Sequence, residues 1–311
     1  MSLLIGEEIM KKIIIDCDPG VDDAFALVLA SSCQDLDILG VTTVAGNCSL
    51  ENATNNTFKV LDMVNRNDIS VYAGSDKSLI KEDVDAEDVH GIGGLGGVEF
   101  EKINRSVENI NAIDYLISEV NKFPGDVSVV ALGPLTNIAL AIRNNRDFAS
   151  NIKELVIMGG AVGKGNITED AEFNFYKDPD AAKEVFDNFK GKIVMVGLDV
   201  TRRIPLTKEL EHKLLEIDTP LSRFLYDITR NGAEFDRKQG FDGLIINDPL
   251  TIAYLIDREM LEFINRDVDI DLDTAKSVIK DTDHCDVLVA VDVEVNKFYK
   301  MLFKSIFDYD L

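Results

Sequence analysis

The chain has 311 residues, 46% of them apolar and 28% charged, which is ample material for a globular protein with a large core. Its 56 acidic and 32 basic side chains leave a formal charge of −24. That excess argues against nucleic acid as a partner, because duplex binding needs Lys and Arg to neutralise phosphates, and against an anionic membrane surface.

The opening residues 1–9 lack the basic segment and the apolar run of a signal peptide. Met10-Lys11-Lys12 offers a second start directly ahead of a strand. Residues 1–9 therefore read as an expression remnant or alternative start, and 10–311 as one domain. A strand over 13–15 leads into Asp16-Cys17-Asp18-Pro19-Gly20-Val21-Asp22-Asp23 and a helix over 22–31. A second strand, 36–42, leads into Thr43-Val44-Ala45-Gly46-Asn47 and a helix over 51–64. The stretch 81–104 is rich in Gly and acids and reads as a mobile loop or lid. After a helix over 110–120 come a strand over 127–132, the turn Gly133-Pro134-Leu135-Thr136-Asn137 and a helix over 135–142. The strand 155–158 ends at Gly159-Gly160-Ala161, ahead of a loop with Asn166 and Ala171-Glu172-Phe173-Asn174. A helix over 179–189, a strand over 193–196, a long helix over 220–238 and a last strand over 287–293 complete the pattern.

Strands rich in Val, Ile and Leu that alternate with helices predict an α/β fold, a mostly parallel central sheet flanked by helices. In such sheets ligands bind outside the carboxyl ends of the strands. No linker-like tract divides the chain, and no run of about 18 apolar residues suggests a membrane span. Cys17, Cys33, Cys48 and Cys285 lack paired spacing, so reduced thiols in a cytoplasmic protein are expected.

Four aspartates in eight residues at the end of a buried strand are costly unless compensated, since like charges raise one another's pKa or demand a cation. A hard divalent ion, Ca²⁺ or Mg²⁺, suits an all-oxygen site. The segment fails the calcium-loop pattern that needs oxygen at position 5 and Glu at position 12, because Gly20 and Leu27 stand there. It matches a DxDx[TV] phosphatase signature only in part, with Gly20 in the last place. No GxxxxGK[ST] loop occurs.

The segment 16–23 resembles the signature of the inosine-uridine-preferring nucleoside hydrolases, which are Ca²⁺-dependent N-ribohydrolases. The resemblance continues through 42–47, 131–139, 157–160, 165–168 and 171–174, then Asp178-Pro179-Asp180-Ala181-Ala182 and Asn247-Asp248-Pro249. It implies a Rossmann-like nucleoside hydrolase fold and hydrolysis of ribonucleosides to free base and ribose. By the same resemblance Asp18, Asp23, the Leu132 carbonyl and Asp248 would hold Ca²⁺. Asp18 would be the base that activates a metal-held water, with Asn47 orienting it. Asp22, Asn47, Met158, Asn166, Glu172, Asn174 and Asp248 would contact the ribose, and Asp16 would support the loop. Members are commonly homodimers or homotetramers, so an oligomer is expected.

The family's usual His-Asp-Pro is Asn247-Asp248-Pro249 here, and Asn has no titrating proton to give a leaving base. His212 and His284 read as peripheral, whereas His90 matches a base-side position. Further base-side candidates are Phe173, Phe235 and Asn247, together with Tyr226, Arg230 and Glu234, which share one helix face at i, i+4, i+8. The alternative for that face is a solvated i,i+4 charge pair. Two other readings stand beside the hydrolase: a Mg²⁺-dependent phosphatase with Asp16 as nucleophile, and a non-catalytic nucleoside- or ribose-binding protein.

Overall fold

The structure is a computed structural model that describes residues 10–81, 86, 90–91, 93–98, 104–281 and 286–311. The expectations for residues 1–9, for much of the 81–104 loop and for His284 and Cys285 lie outside the described residues. Eleven strands are described: β1 Lys11–Cys17, β2 Leu36–Thr43, β3 Val71–Ala73, β4 Val127–Ala131, β5 Glu154–Met158, β6 Ile193–Val196, β7 Pro205–Thr207, β8 Gly243–Ile245, β9 Leu261–Ile270, β10 Ser277–Lys280 and β11 Val287–Val293. Nine of them form one sheet in the order β10-β9-β11-β6-β5-β4-β1-β2-β3, and β7 pairs with β8 separately.

From β3 to β11 every pairing is parallel, and only β9 and β10 run against their neighbours. The sheet is mixed but mostly parallel. The apolar strands explain the parallel part, because helices cover both of their faces. β9 shows why an edge region differs. Its sequence mixes Phe263, Ile264 and Val268 with Asn265, Arg266 and Asp267, so only three of its ten residues are fully buried. The core splits between the two faces of β1, with Ile13, Ile15 and Cys17 on one side and Ile14 on the other.

The chain order reverses at β1. It runs from β1 to β2 and β3 on one flank, then crosses to β4, β5 and β6 on the other. Asp16 sits in register with Thr42 of β2 and Ala131 of β4. The crevice beyond these strand ends is the place where open α/β sheets bind ligands. Among the described residues no helix is long and apolar enough to cross a membrane. Cys17 and Cys33 are free thiols.

Candidate functional site

Asp16, next to last in β1, is fully buried. Oδ1 accepts from Thr42 Oγ1 at 2.6 Å and from Asn137 Nδ2 at 2.8 Å. Burial pushes this carboxyl up to about 6, against the pull of those two hydrogen bonds. Asp18 lies one step further out, between two glycines. A Cβ on Gly46 would overlap its carboxylate, and one on Gly133 would come within 2.6 Å of Oδ1. The two Gly-containing turns after β2 and β4 are thus shaped around one side chain. The Asn47 N–H donates to Asp18 Oδ2 at 2.6 Å.

The helix Val21–Ser32 begins immediately after Gly20, and its first turn carries Asp22 and Asp23. Carboxylates are favoured there by the unpaired N–H groups and the helix dipole. Asp23 accepts from the Gly20 N–H at 3.0 Å, the Asp18 N–H at 3.2 Å and Asn47 Nδ2 at 3.2 Å. Asn47 therefore ties Asp18 to Asp23. Asp248 arrives from the opposite end of the chain, just ahead of the helix Pro249–Ile256. Carboxylate oxygens of Asp22, Asp23 and Asp248 lie within 4.8 Å of one another, all buried.

Burial is the main force on the acids here. It raises Asp23 to about 7, helped by the charge of Asp22, and raises Asp18 and Asp248 well above the carboxylate range, helped by their acidic neighbours. Among the described residues no Lys or Arg pairs with any of the five aspartates. Three buried oxygens of this cluster, Asp16 Oδ2, Asp18 Oδ1 and Asp22 Oδ1, have no hydrogen-bond partner among the described residues. Orphaned carboxylate oxygens without a cationic side chain are a donor set that fits a hard divalent ion.

The cluster forms the floor of a cavity of about 850 Å³, within the range of small-molecule sites. One wall comes from the loop after β5. Glu172 caps the helix Phe173–Lys177: Oε1 accepts the Asn174 N–H at 2.8 Å, and Oε2 accepts the N–H groups of Gly160 and Phe175 at 2.9 and 3.2 Å. Burial still raises it to about 7. Asn174 Nδ2 spans the ends of two strands, donating to the carbonyls of Leu132 at 2.7 Å and Met158 at 3.1 Å. Asn166 Oδ1 accepts the Phe173 N–H at 2.9 Å, which pins its exposed loop to the same helix.

Of the expected site residues, Asp22, Asn47, Leu132, Met158, Asn166, Glu172, Phe173, Asn174, Asn247, Asp248 and His90 all line this cavity, and Asp18 and Asp23 are buried beneath it. His90 is almost fully buried, and its Nδ1 accepts the Val21 N–H at 3.1 Å. Burial lowers its pKa. The Asn247 amide donates to Asp22 Oδ2 at 3.0 Å and accepts from Thr201 Oγ1 at 2.8 Å, so it faces the carboxylates. Tyr226, Arg230 and Glu234 do not line the cavity. Arg230 and Glu234 are exposed, and Glu234 pairs with Lys238 at 2.9 Å, an i,i+4 contact on the solvent face. The inward face of the helix Pro220–Lys238 carries Leu225, Ile228, Thr229, Gly232, Ala233 and Asp236 instead.

Three residues absent from the sequence-based set shape the rest of the cavity. Asp236 and Arg202 line it, and Asp199 braces its rim. Asp199 accepts the N–H groups of Val162 and Gly163 at 2.7 and 2.9 Å, while Arg202 donates to the carbonyls of Lys164 and Gly165. Together they hold the loop that carries Asn166. The signal for Asp236 is a carboxylate at the apolar phase of a helix. The signal for Asp199 and Arg202 is their position just past β6, where the strand-end rule applies as it does after β1.

The family model for inosine-uridine preferring nucleoside hydrolases matches residues 13–300. The chain is 38% identical over 256 residues to the pyrimidine-specific ribonucleoside hydrolase RihA of Escherichia coli strain K12, an alignment covering 82% of each protein. A plant nucleoside hydrolase of known structure superposes with a TM-score of 0.90 at 32% identity, over 96% of this chain and 99% of that one. A purine-preferring ribonucleoside hydrolase from Gardnerella vaginalis gives 0.91 at 28% identity, over 96% and 98%.

Proposed function

The chain belongs to the inosine-uridine preferring nucleoside hydrolase family and is a hydrolase of N-glycosyl bonds, and from that premise we propose that it cleaves ribonucleosides with a Ca²⁺ ion held by its aspartate cluster. The observation that carries this reading is the buried Asp22–Asp23–Asp248 triad on the cavity floor beside the orphaned oxygens of Asp18 and Asp22. Asp18, Asp23, Asp248 and the Leu132 carbonyl would hold the ion, with Asp22 close enough to join them. When bound, a hard divalent cation supplies positive charge that acidifies the attacking water and fixes the ribose diol.

Asp18 is the general base of this scheme. Oδ2 accepts the Asn47 N–H, and among the described residues Oδ1 has no hydrogen-bond partner, so one oxygen is left to take a proton. Asn47 keeps its orientation. As the C1′–N bond stretches, positive charge grows on the ribosyl ring. The Glu172 carboxylate, the amide oxygens of Asn166 and Asn174, and Asp22 surround the ring with negative charge and acceptors that need no rearrangement. A site built to bond hydroxyls also rejects sugars that lack them, so ribose is preferred to deoxyribose. The Asp16 phosphatase is disfavoured because that carboxylate lies beneath the cavity with one oxygen held by Thr42 and Asn137.

Inosine, uridine and cytidine incubated with the protein should release reducing sugar, EDTA should abolish the release, and added Ca²⁺ should restore it. Turnover unchanged after exhaustive chelation would remove the cation from the scheme. A homodimer or homotetramer is the assembly proposed by the same family reading, and light scattering after gel filtration measures it.

A further inference from the structure

When the C1′–N bond breaks, the bonding pair leaves with the base, and a proton delivered to the base lowers the barrier. The amide of Asn247 has no proton to transfer and is committed to Asp22 and Thr201. Among the described residues, the other ionisable groups that line the cavity are Glu172, Asp22, Asp248, His90, Lys164, Glu169, Arg202 and Asp236. Both oxygens of Glu172 are occupied by three backbone N–H groups. Asp22 and Asp248 belong to the carboxylate triad. His90 uses Nδ1 to accept the Val21 N–H, and burial keeps the ring neutral, so it offers Nε2–H as a hydrogen-bond donor of little acidity. Lys164 and Glu169 are exposed on the rim. An arginine such as Arg202 does not release its proton.

Asp236 remains. It lines the cavity beside Phe235, Phe241 and Ile245. Its Oδ2 accepts the Ile245 N–H at 2.8 Å, and its backbone carbonyl accepts the N–H groups of Gln239 and Phe241 at 3.0 and 3.1 Å. The residue is thus held from both ends, while among the described residues no hydrogen bond to Oδ1 is found. Burial, aided by the charge of Asp22, raises the carboxyl to about 6 against the pull of the Ile245 N–H and of Arg202.

Resting on the hydrolase reading above, we propose that Asp236 is the leaving-group acid, transferring its proton from Oδ1 to a ring nitrogen or exocyclic oxygen of the departing base. The C1′–N pair moves onto the base as the proton arrives. Water oxygen bonds to C1′, its proton passes to Asp18 and from there to solvent, and Asp236 regains a proton from solvent. The products are free base and ribose, with no other reactant.

Asp236→Asn tests this, because the Asn amide oxygen still accepts the Ile245 N–H. The probes are inosine, uridine and p-nitrophenyl β-D-riboside, whose leaving group departs without protonation. The expected result is a loss of about 10²- to 10⁴-fold in kcat on the nucleosides, with the activated riboside retained within about threefold. Equal losses on both substrates, or none on the nucleosides, would overturn the assignment. Failure of the wild-type protein to cleave any of the three would instead overturn the hydrolase reading. A second measurement uses nucleosides whose bases differ in basicity. The dependence of kcat on base pKa should be shallow in the wild type and steep in the variant, and parallel slopes would refute the role.

Discussion

Glu172 stores energy that can be measured. Its carboxyl moves from an ordinary 4.5 to about 7 on burial, even though three backbone N–H groups bond to it. At 1.36 kcal/mol per pKa unit the shift corresponds to about 3 kcal/mol. A raised carboxyl makes the folded state bind more protons than the unfolded chain between the two values. Stability from this group is therefore fully present below pH 4.5, falls as pH rises to about 7, and is flat above. The perturbation is Glu172→Gln, compared with wild type in urea unfolding at pH 5 and pH 8, both in EDTA. Gln keeps the side-chain length but does not ionise. It loses one acceptor at both pH values alike, so the comparison uses the change with pH and not the offset. The wild type should lose about 2–3 kcal/mol more than the variant between the two pH values. Equal changes, within about 0.5 kcal/mol, would refute the claim that Glu172 is held under electrostatic load. The same load explains its use. In the proposed scheme a ribosyl ring that becomes cationic near this carboxylate would relieve the penalty, returning part of the energy spent on burial in the transition state.

Other consequences follow from the same geometry. Asp18→Ala should lower kcat by about 10² to 10⁴ or more and weaken Ca²⁺ binding, read by steady-state kinetics and calorimetry; near-wild-type turnover would place the base elsewhere. Arg202→Gln removes the donors that grip the carbonyls of Lys164 and Gly165, so KM should rise about tenfold or more with a smaller change in kcat. His90→Ala should weaken turnover of whole nucleosides while leaving free ribose binding unchanged, measured by competition. Glu154 tests the fold apart from the site. Arg258 and Lys192 overcome its burial and hold it at about 2, against an ordinary 4.5. Its contribution of up to about 3 kcal/mol is present above pH 4.5 and lost as pH falls through 2, so Glu154→Gln should cost stability at pH 7 and almost none at pH 2 in thermal melts.

Much of the floor of this site was legible because it obeys local rules. Asp16, Asp18, Asp22 and Asp23 stand in one segment, at the junction of a buried strand and a helix, and their mutual repulsion is visible from spacing alone. Gly46 and Gly133 follow strands that read clearly as buried, and the structure supplies the physical reason for both: neither position has room for a Cβ beside Asp18. The helix Pro220–Lys238 was likewise legible over its full length. What did not follow was its inward face. Tyr226, Arg230 and Glu234 share a face by simple i,i+4 spacing, yet Arg230 and Glu234 are turned to solvent, where Glu234 pairs with Lys238, and Tyr226 packs half-buried against the apolar core. The buried phase runs through Leu225, Ile228, Gly232 and Ala233 to Asp236, one residue pattern over.

That displacement bears on the chemistry as well as the packing. A helix in an α/β domain buries its apolar stripe, so a functional group on the stripe must be small enough to fit and must find partners for its polar atoms. Asp236 satisfies one oxygen on Ile245 and leaves the other to the cavity. Asn247, two residues beyond Ile245, turns its amide toward Asp22 and Thr201 instead of outward. With Asn247 spent on the carboxylate floor, the proposed proton donor comes from another element, the helix Pro220–Lys238, which brings the buried carboxyl of Asp236 to the cavity. The two ends of the reaction are then served by acids in contrasting settings. Asp18 lies among carboxylates that a cation would keep ionised, whereas Asp236 lies among Phe235, Phe241 and Ile245, where the apolar surroundings favour the protonated form.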